Sequence, residues 1–441
     1  MKKALKITAI FILIMGITAC GSRVLNGTAE HVAEANEVLT QEPPESTYEP
    51  EEPEEIDTLG NETNIPPAQT PEPQIEAPDY YPGDTHTYLP TAPINLTWVH
   101  GFYAFGAFGQ RGLIHDMDSV SFGWSVMEWD EENGARLNTS TRGGNQWRIP
   151  EGYELIANYP RDNGARTHLN IFMDTTIGLS ELIACEESRS AAVAAIIYEL
   201  TRVYAGLGRN PFDGVTINFE GLRGERAKGE FTAFLTELSY YLRPKGLTLY
   251  VTVHPATIDG IFFDGYDYRA IGQLADRVIL MTHDYHPRSL DGLLGTTWQR
   301  HAALTPIGEV RRSLEAITHP VTGVEDTSII AIAFSFQNVG WFIDDHDRAI
   351  YPIPITVSNE TVLRRMAQPD TFFGWSATYR NPYIIYTTEN GQRVFLWYQN
   401  SQSVAEKIQL ANQFGITGAS VWRMGIVPNE TEWDVWEVFR R

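Results

Sequence analysis

Residues 213–220 read Asp-Gly-Val-Thr-Ile-Asn-Phe-Glu, an alternation of polar or small and apolar side chains. Side chains of a β-strand point alternately to its two faces, so the even-numbered positions share one face and Val215, Ile217 and Phe219 share the other. The apolar face is typical of a strand packed beneath helices. The polar face ends in Glu220 at the strand's carboxyl end, where packing alone does not explain it, although an exposed Glu at a strand end is common. The pattern predicts a buried strand with Glu220 as a candidate functional residue.

Seven further strand-like runs accompany residues 214–220, with helical patterns between several of them. The predicted strands are Leu96–Ala104, Ser119–Met127, His168–Asp174, Gly214–Glu220, Thr248–His254, Arg277–His283, Ile329–Phe334 and Gly418–Trp422. Helical spacing of apolar residues is clearest in Arg189–Tyr204, Glu230–Leu242, Ile307–Ile317 and Val404–Phe414. This alternation predicts an α/β fold, specifically a (β/α)8 TIM barrel within residues 89–441. A two-domain α/β protein with an open sheet is the alternative.

One segment, about 344–399, does not fit the simple repeat. It holds two strand-like pieces, Tyr383–Thr387 and Val394–Trp397, and a helical run, Glu360–Met366. We therefore predict a small α+β insertion between the seventh strand and the last helix. Functional groups of such barrels lie at the carboxyl ends of the strands and in the loops that follow, so an insertion there would wall the site.

Residues 1–20 have the features of an export signal. Lys2, Lys3 and Lys6 precede an apolar run that is too short for a comfortable membrane span. The run ends Ile-Thr-Ala-Cys, which resembles the bacterial lipobox and implies lipidation of Cys20 and anchoring to a membrane. An ordinary signal peptide with an incidental cysteine is the alternative.

Residues 21–88 are predicted to be a disordered, acidic tether rich in Pro and Glu. Residues 24–87 carry sixteen acids and no Lys or Arg, and residues 41–80 alone hold nine Pro. Such a composition cannot bury enough apolar surface to offset its ordering entropy. The tether could lift a folded domain away from the membrane into a surrounding polymer, or it could be a generic linker.

Charge and composition exclude several functions for this chain. The net charge of -23 argues against binding nucleic acid, which needs clustered Lys and Arg. No metal-ligand cluster, phosphate loop or Ser/His/Asp arrangement stands out, so we expect neither a metal nor a cofactor. We also expect a monomer. The two cysteines rule out a disulfide-stapled scaffold, and Cys185 is interpreted as a small core residue in a helix.

The run 213–220 resembles the signature of glycoside hydrolase family 18, Asp-x-x-Asp-x-Asp-x-Glu. The resemblance implies that Glu220 is the catalytic acid and places Asp213 on the first Asp. Thr216 and Asn218 stand where the two middle Asp residues are usual. The pattern is closest to the spore cortex-lytic and germination branch of the family, in which the second Asp is often replaced but the third is kept.

Three other segments carry the same resemblance, which spans about residues 95–425. Residues 281–286 resemble the family's Met-x-Tyr-Asp motif, with His283 where Tyr is usual; residues 101–103 resemble its Gly-Tyr-Tyr start; residues 418–422 resemble the strand whose Trp floors a sugar subsite. The resemblance therefore implies that the substrate-binding residues are Tyr103, Asp213, His283, Asp284, Tyr285 and Trp422.

The family's mechanism implies a specific role for the residue two positions before Glu220. The substrate's own 2-acetamido carbonyl attacks the anomeric carbon, and the acid protonates the glycosidic oxygen. The family uses an Asp to grip the acetamide N–H and to balance positive charge. Asn218 is expected to accept the hydrogen bond through its oxygen but supplies no charge, which predicts slow hydrolysis, compensation by His283 or Asp284, or loss of turnover.

Three functional hypotheses follow. The first is a lipoprotein that cleaves β-1,4 linkages of N-acetylglucosamine-containing glycans, with peptidoglycan preferred to chitin because of the tether. The second is a glycan-binding lipoprotein that is catalytically weak or inactive, because Asn218 replaces the usual Asp. The third is an envelope scaffold.

Other aromatic and imidazole side chains remain candidates for the site. Trp98, Trp298, Trp375 and Trp397 could be further sugar platforms, whereas Trp433 and Trp436 are expected to be core residues. His254, after the fifth predicted strand, could line the site, but a satisfied core histidine is the commoner role.

Overall fold

Eight parallel strands close into a barrel in the computed structural model, which describes residues 79–80, 93–255 and 263–440. The strands are β1 (Trp98–Tyr103), β2 (Ser119–Asp130), β3 (Arg166–Asp174), β4 (Gly214–Glu220), β5 (Thr248–Val253), β6 (Arg277–Leu280), β7 (Ile330–Ser335) and β8 (Gly418–Trp422). Strand β1 closes the barrel because it pairs with β8 at Trp98 and Gly418 and with β2 at His100 and Ser119. The predicted (β/α)8 barrel is confirmed, and each predicted strand has its counterpart.

The helices lie between the strands. They are α1 (Glu154–Ala157), α2 (Tyr159–Asp162), α3 (Leu179–Ala184), α4 (Glu186–Thr201), α5 (Gly224–Leu242), α6 (Tyr268–Leu274), α7 (Ile307–Ile317), α8 (Asn359–Met366) and α9 (Ser401–Gln413). Short 3-10 helices are Ala107–Asp116, Arg142–Gly144, Thr175–Ile177, Arg243–Lys245, Trp298–His301, Thr327–Ile329 and Trp436–Val438. No helix in the described part of the chain is both long and apolar enough to cross a membrane.

Strand β4 divides its side chains between the two faces as its alternation predicts. Val215, Ile217 and Phe219 are fully buried on the outer face, and the Phe219 ring stacks on Phe234 of α5 with centroids 5.2 Å apart. Helix α5 buries apolar residues three or four positions apart on this side. The outer face is therefore sealed by packing, and the alternate face of β4 points into the barrel.

A chain of uncharged hydrogen bonds fills the amino-terminal half of the barrel interior. It runs through Ser420, His100, Ser121, Thr216, His168 and Thr248, with each neighbouring pair of side chains 2.6–3.2 Å apart. Burial lowers the pKa of His100 to about 3 and also holds the pKa of His168 well below its usual value. Both imidazoles are therefore neutral, and the layer beneath the carboxyl-terminal mouth carries no charge from them.

The insertion is a small antiparallel sheet with one helix, as predicted, but it begins earlier than position 344. Its strands are Asn338–Ile343, Ile355–Val357, Phe372–Ser376, Asn381–Thr387 and Arg393–Trp397, and its helix is α8. The first strand starts three residues after β7 ends, because Val339 and Trp341 belong to the apolar core of the insertion. The whole insertion lies in the connection between β7 and α9, on the carboxyl side of the barrel.

The insertion shares its core with the loop that follows β6. Leu290 and Ala302 of that loop pack in the same buried cluster as Trp341, Phe395 and Trp397 of the insertion. The imidazole of His286 also lies beside Trp341, with ring centroids 6.4 Å apart. The insertion therefore supports the segment that carries His283 and Asp284.

One described piece of the predicted tether pairs with the insertion. Residues Asp79–Tyr80 form a two-residue strand that runs antiparallel to Phe372–Ser376, opposite Trp375 and Gly374. The signal segment 1–20 with Cys20, and the rest of the predicted tether apart from these two residues, lie outside the described residues.

Candidate active site

Glu220 lies at the carboxyl end of β4, at the mouth of the barrel. Its side chain is 30% exposed, so one edge meets solvent while the rest is enclosed. The alternation that directs Phe219 outward against α5 directs Glu220 inward. A carboxylic acid at this place is half-buried, reachable from outside, and surrounded by side chains from the ends of β3, β5 and β6.

Asn218 holds Glu220 directly. Its side-chain nitrogen Nδ2 donates a hydrogen bond to Oε1 of Glu220 at 3.0 Å, and its Oδ1 accepts from the hydroxyl of Thr252 on β5. The sequence led us to expect the Asn218 oxygen to be available to a substrate N–H. The structure commits one of its two acceptor sites to Thr252 and turns the amide nitrogen toward the carboxyl group.

The surroundings raise the pKa of Glu220. Burial is the largest cause, and the negative charges of Asp174 and Asp284 act in the same direction. The hydrogen bond from Asn218 and the charge of His283 oppose them, because both favour the ionised carboxylate. The net upward direction favours a protonated Glu220 at higher pH than an exposed glutamate permits, which is what a general acid needs.

His254 follows β5 and lies next to Glu220. It therefore lines the site and is not only a core histidine. Its Nε2 is 3.9 Å from Oε2 of Glu220, and its ring stacks on Phe263 with centroids 3.9 Å apart. Burial, aided by the charges of His283 and Arg223, lowers the pKa of His254 to about 4. The imidazole is neutral near pH 7, so this approach to Glu220 is not an ion pair there.

His283 and Asp284 form a close pair after β6. Nδ1 of His283 is 2.6 Å from Oδ2 of Asp284, and the Asp284 backbone has a φ of 60°, an uncommon conformation for a residue other than glycine. Burial raises the pKa of Asp284, but the charge of His283 and its hydrogen bond outweigh burial, so the net shift is downward. Both residues follow the carboxyl end of β6, so they lie at the same barrel mouth as Glu220, whose pKa their charges also influence.

Trp422 lies at the end of β8 with aromatic neighbours on two sides. Phe102 of β1 meets it edge-on at 5.2 Å between centroids, and Trp147, in the loop after the β2 hairpin, lies 6.2 Å away. Gly123 makes room for Trp147, since a Cβ at that position would lie 3.1 Å from the indole ring. Both Trp147 and Trp422 remain partly exposed. These rings offer apolar faces of the kind on which sugar rings stack.

Tyr103 does not lie in this site. It is buried on the outer face of β1, with its ring 5.3 Å from Phe122 and 6.3 Å from Trp124. Adjacent residues of a strand point to opposite faces, so Phe102 faces the interior and Tyr103 cannot. The prediction that Tyr103 binds substrate is corrected to Phe102 as the aromatic residue of β1 at the mouth.

Asp213 is also outside the site. It precedes β4 and therefore lies at the opposite end of the barrel from Glu220, about 23 Å away at the rise of an extended strand. There it pairs with Arg161 at 2.5 Å and accepts a hydrogen bond from the backbone N–H of Thr167. Its role is to tie the starts of β3 and β4, not to contact a substrate at the mouth.

Tyr285 is the third expected substrate-binding residue that points elsewhere. Its hydroxyl is 2.9 Å from the hydroxyl of Ser313 on α7, and its ring packs against the main core. The left-handed backbone at Asp284 turns the chain outward, so the side chain after it faces the helices. Of the six expected substrate-binding residues, His283, Asp284 and Trp422 reach the mouth.

The remaining aromatic candidates divide as follows. Trp98, Trp375 and Trp397 are buried, Trp298 is 39% exposed, and Trp433 and Trp436 are core residues as predicted. The interpretation of Cys185 as a core residue is wrong, because it is exposed and precedes α4 as its N-cap. Among the described residues, no group of three or more His, Cys, Asp or Glu could hold a metal ion.

Sequence reasoning missed Asp174, Thr252 and Trp147. Asp174 and Thr252 lie on the strands next to β4. The alternation of each strand predicts that they face the barrel interior, but no motif marks them as functional. Trp147 lies in a loop after Gly134–Asn138, a strand that forms a hairpin with an extended β2. Nothing in the local sequence indicated that this loop folds back over the barrel mouth.

The fold and the geometry define a class of protein: a (β/α)8 barrel with a single raised-pKa acid at the end of its fourth strand. Residues 170–426, more than half of the chain, match the family described as Glycosyl hydrolases family 18. The chain therefore belongs to glycosyl hydrolase family 18.

Individual relatives agree with this membership. A cortical fragment-lytic enzyme of Bacillus anthracis is 26% identical over 217 residues, which cover 48% of this chain and 46% of that protein. The crystal structure of the Bacillus cereus spore cortex-lytic enzyme SleL is similar with a TM-score of 0.59 at 18% identity, covering 80% of this chain and 75% of that one.

A family 18 N-acetylglucosaminidase from Paenibacillus barengoltzii gives a TM-score of 0.57 at 15% identity, covering 78% and 98% of the two chains. At these identities the structural likeness shows the fold. The chain spans about half the length of the curated relatives it matches.

Proposed function

We propose that this chain is a retaining glycoside hydrolase that cleaves β-1,4 linkages of N-acetylglucosamine-containing glycans, with Glu220 as the general acid. The observation that carries the proposal is the placement of Glu220: half-buried at the barrel mouth, with a raised pKa, and hydrogen-bonded by Asn218. Family membership supports the reaction class.

The proposed reaction uses the substrate's own acetamide. Glu220 gives its proton to the glycosidic oxygen while the acetamide carbonyl oxygen attacks the anomeric carbon, so the glycosidic bond breaks and an oxazolinium ion forms. Water then attacks the same carbon, the bond from that carbon to the acetamide oxygen breaks and reopens the ring, and the Glu220 carboxylate takes up the water proton. Because Oε1 of Glu220 accepts a hydrogen bond from Asn218, the acid proton belongs on Oε2, the oxygen on the side of His254.

Asn218 and His283 would share the contacts to the acetamide. A carbonyl oxygen has two acceptor sites, so Oδ1 of Asn218 keeps one for the substrate N–H after bonding Thr252. Nδ1 of His283 is engaged by Asp284, which leaves the other ring nitrogen for a contact to the acetamide. In this arrangement the negative charge that position 218 lacks comes from Asp284.

Peptidoglycan is the proposed substrate, with a chitin-like glycan as the alternative. The support is the similarity to proteins named cortical fragment-lytic enzymes, together with the export signal and acidic tether read from the sequence. We propose that the chain acts outside the cytoplasm, anchored to the membrane through a lipidated Cys20. Partition of the full chain into the detergent phase of Triton X-114, lost in Cys20→Ser, tests the anchor.

Incubation of the full chain with purified peptidoglycan and with chitooligosaccharides, followed by mass spectrometry of the products, tests the reaction. We expect new reducing ends at N-acetylglucosamine and at least a hundredfold loss of cleavage in Glu220→Gln. Equal product from the wild type and Glu220→Gln would refute the role of Glu220.

A glycan-binding protein without turnover is the second candidate, because the side chain two positions before the acid is uncharged. This candidate predicts that wild type and Glu220→Gln bind oligosaccharide equally and that neither forms products. Isothermal titration with chitooligosaccharides, run beside the cleavage assay, separates the two functions.

A further inference from the structure

Asp174 and Glu220 end neighbouring strands of the barrel in the same register. They are direct partners across the parallel pair β3 and β4. Paired residues of adjacent strands point to the same side of a sheet, and His168, six residues before Asp174, faces the interior through its contact with Thr216. Asp174 therefore faces the mouth beside Glu220, and no sequence motif assigns it a role.

The loops after the two strands also touch. Gly221 has a φ of +83°, and a Cβ there would lie 2.7 Å from the hydroxyl oxygen of Thr175. This close approach fixes the end of β3 against the end of β4. The two residues are therefore held as a register pair, and the Thr176 N–H and the Asn218 amide orient their carboxyl groups.

The two oxygens of Asp174 have different surroundings. Oδ1 accepts hydrogen bonds from the backbone N–H and the hydroxyl of Thr176, at 2.7 and 2.6 Å, and so caps the short helix Thr175–Ile177. Oδ2 makes no hydrogen bond within residues 93–255 and 263–440. The cap holds the carboxylate in place and leaves its charge beside Glu220.

Four side chains from the elements around Glu220 shift its pKa, and His254 and Arg223 lie nearby. The acids are Asp174 after β3 and Asp284 after β6, and their charges favour the protonated form. Asn218 and His283 favour the ionised form, and His254 is neutral near pH 7. Arg223, in the loop after β4, stacks over the Phe263 ring with its guanidinium carbon 5.0 Å from the centroid.

We propose that Asp174 is a positioning residue whose charge keeps Glu220 in its proton-donating form, a task left open by the uncharged side chain at position 218. This inference rests on the proposed function, since it concerns the acid of that reaction. Like charges on neighbouring side chains resist being ionised together, so the carboxylate of Asp174 disfavours loss of the Glu220 proton.

The charge of Asp174 can be separated from its cap. Asn and Ser are also good caps, so Asp174→Asn and Asp174→Ser remove the charge while an oxygen still accepts from the Thr176 N–H. Asp174→Glu restores the charge, and Thr176→Val perturbs the capped turn without altering charge. The two neutral variants guard against a folding failure in either one.

The direct test is a carbon-13 NMR titration of the full chain labelled at glutamate side chains, with the Glu220 signal assigned by its loss in Glu220→Gln. We expect both neutral variants to lower the Glu220 pKa by about 1 unit, which means tenfold less protonated acid at pH values above both pKa values. Asp174→Glu and Thr176→Val should titrate close to the wild type.

An unchanged Glu220 titration in the neutral variants would overturn the proposal and leave Asp174 as a turn cap. The titration does not require the protein to cleave a substrate, so its result can be told apart from a failure of the hydrolase proposal. Where cleavage is measurable, the alkaline limb of the kcat profile should move to lower pH by the same amount with KM unchanged; a rise in KM alone would contradict the inference.

Discussion

The side-chain nitrogen of Asn218 lies 3.0 Å from Oε1 of Glu220 and donates a hydrogen bond to it. This contact sets the electrostatics of the site, because a donor at position 218 stabilises the ionised carboxylate whereas an aspartate there would destabilise it. Burial and the charges of Asp174 and Asp284 raise the pKa of Glu220 even though this hydrogen bond lowers it.

Asn218→Asp should raise the cleavage rate by about 10- to 100-fold, because it restores a negative charge for the developing oxazolinium ion. The same charge lies beside Glu220 and raises its pKa, so the alkaline limb of the pH–rate profile should move upward. Rates on chitooligosaccharides between pH 4 and 9 measure both effects. Asn218→Ala is the control, and it should be slower than the wild type. A rate for Asn218→Asp at or below that of the wild type contradicts our account of the missing charge.

Glu220→Gln should be more stable than the wild type near pH 7. The folded-state pKa of Glu220 is raised above 4.5, so the folded protein binds this proton more tightly than the unfolded chain does. Stability therefore falls as pH rises from 4.5 through the raised pKa, and glutamine removes that loss. Urea unfolding at pH 4 and pH 7 should show a gain at pH 7 that shrinks at pH 4. A gain of equal size at both values would point to packing instead of ionisation.

Trp147→Ala and Trp422→Ala should each raise KM about tenfold with a smaller change in kcat. Each substitution removes an apolar ring face on which a sugar would stack. Tyr240 is the matched control, since it is 72% exposed on the outer side of α5. Tyr240→Ala should leave both constants unchanged. An unchanged KM in Trp147→Ala would exclude the hairpin loop from the substrate cleft.

Lys407, at the junction of the barrel and the insertion, should make the folding stability depend on pH. It is 1% exposed on α9 and donates to the carbonyl oxygen of Arg380 at 2.6 Å and to Oδ1 of Asn381 at 3.0 Å. Burial lowers its pKa to about 7, against the opposing charge of Glu406. Between pH 7 and 10.5 the unfolded chain therefore holds more of this proton, and stability rises with pH over that window.

Lys407→Met should abolish that rise, whereas Lys245→Met, at an exposed lysine, should keep it. Chemical denaturation at pH 7, 8.5 and 10 measures the slope for each variant. A parallel slope in Lys407→Met and the wild type would show that Lys407 is not the titrating group.

Much of the barrel could be predicted because its signals are local. The eight strands and the inward parity of Glu220 follow from period-two alternation within single segments, and the β4 bounds match the predicted Gly214–Glu220. The errors at Tyr103, Asp213 and Tyr285 share one cause. A motif places a residue near a strand end. Whether its side chain reaches the mouth depends on which face of the strand it occupies and on whether it lies at the carboxyl or the amino end.

The insertion was predicted as α+β but not its first strand, Asn338–Ile343. This strand reads like a continuation of β7, and only its pairing with Arg393–Trp397 and Ile355–Val357 assigns it to the second sheet. Pairing between distant segments has no signature in either segment alone.

The sequence by itself determined the fold class and the position of the acid, because both rest on the alternation of neighbouring side chains and on one short motif. The tertiary structure alone decided what surrounds that acid. Asp174 meets Glu220 through the strand register, Thr252 fixes the Asn218 amide from the next strand, and Trp147 reaches Trp422 from a distant hairpin. These contacts depend on which residues closure of the barrel brings together, and that closure is a property of the whole chain.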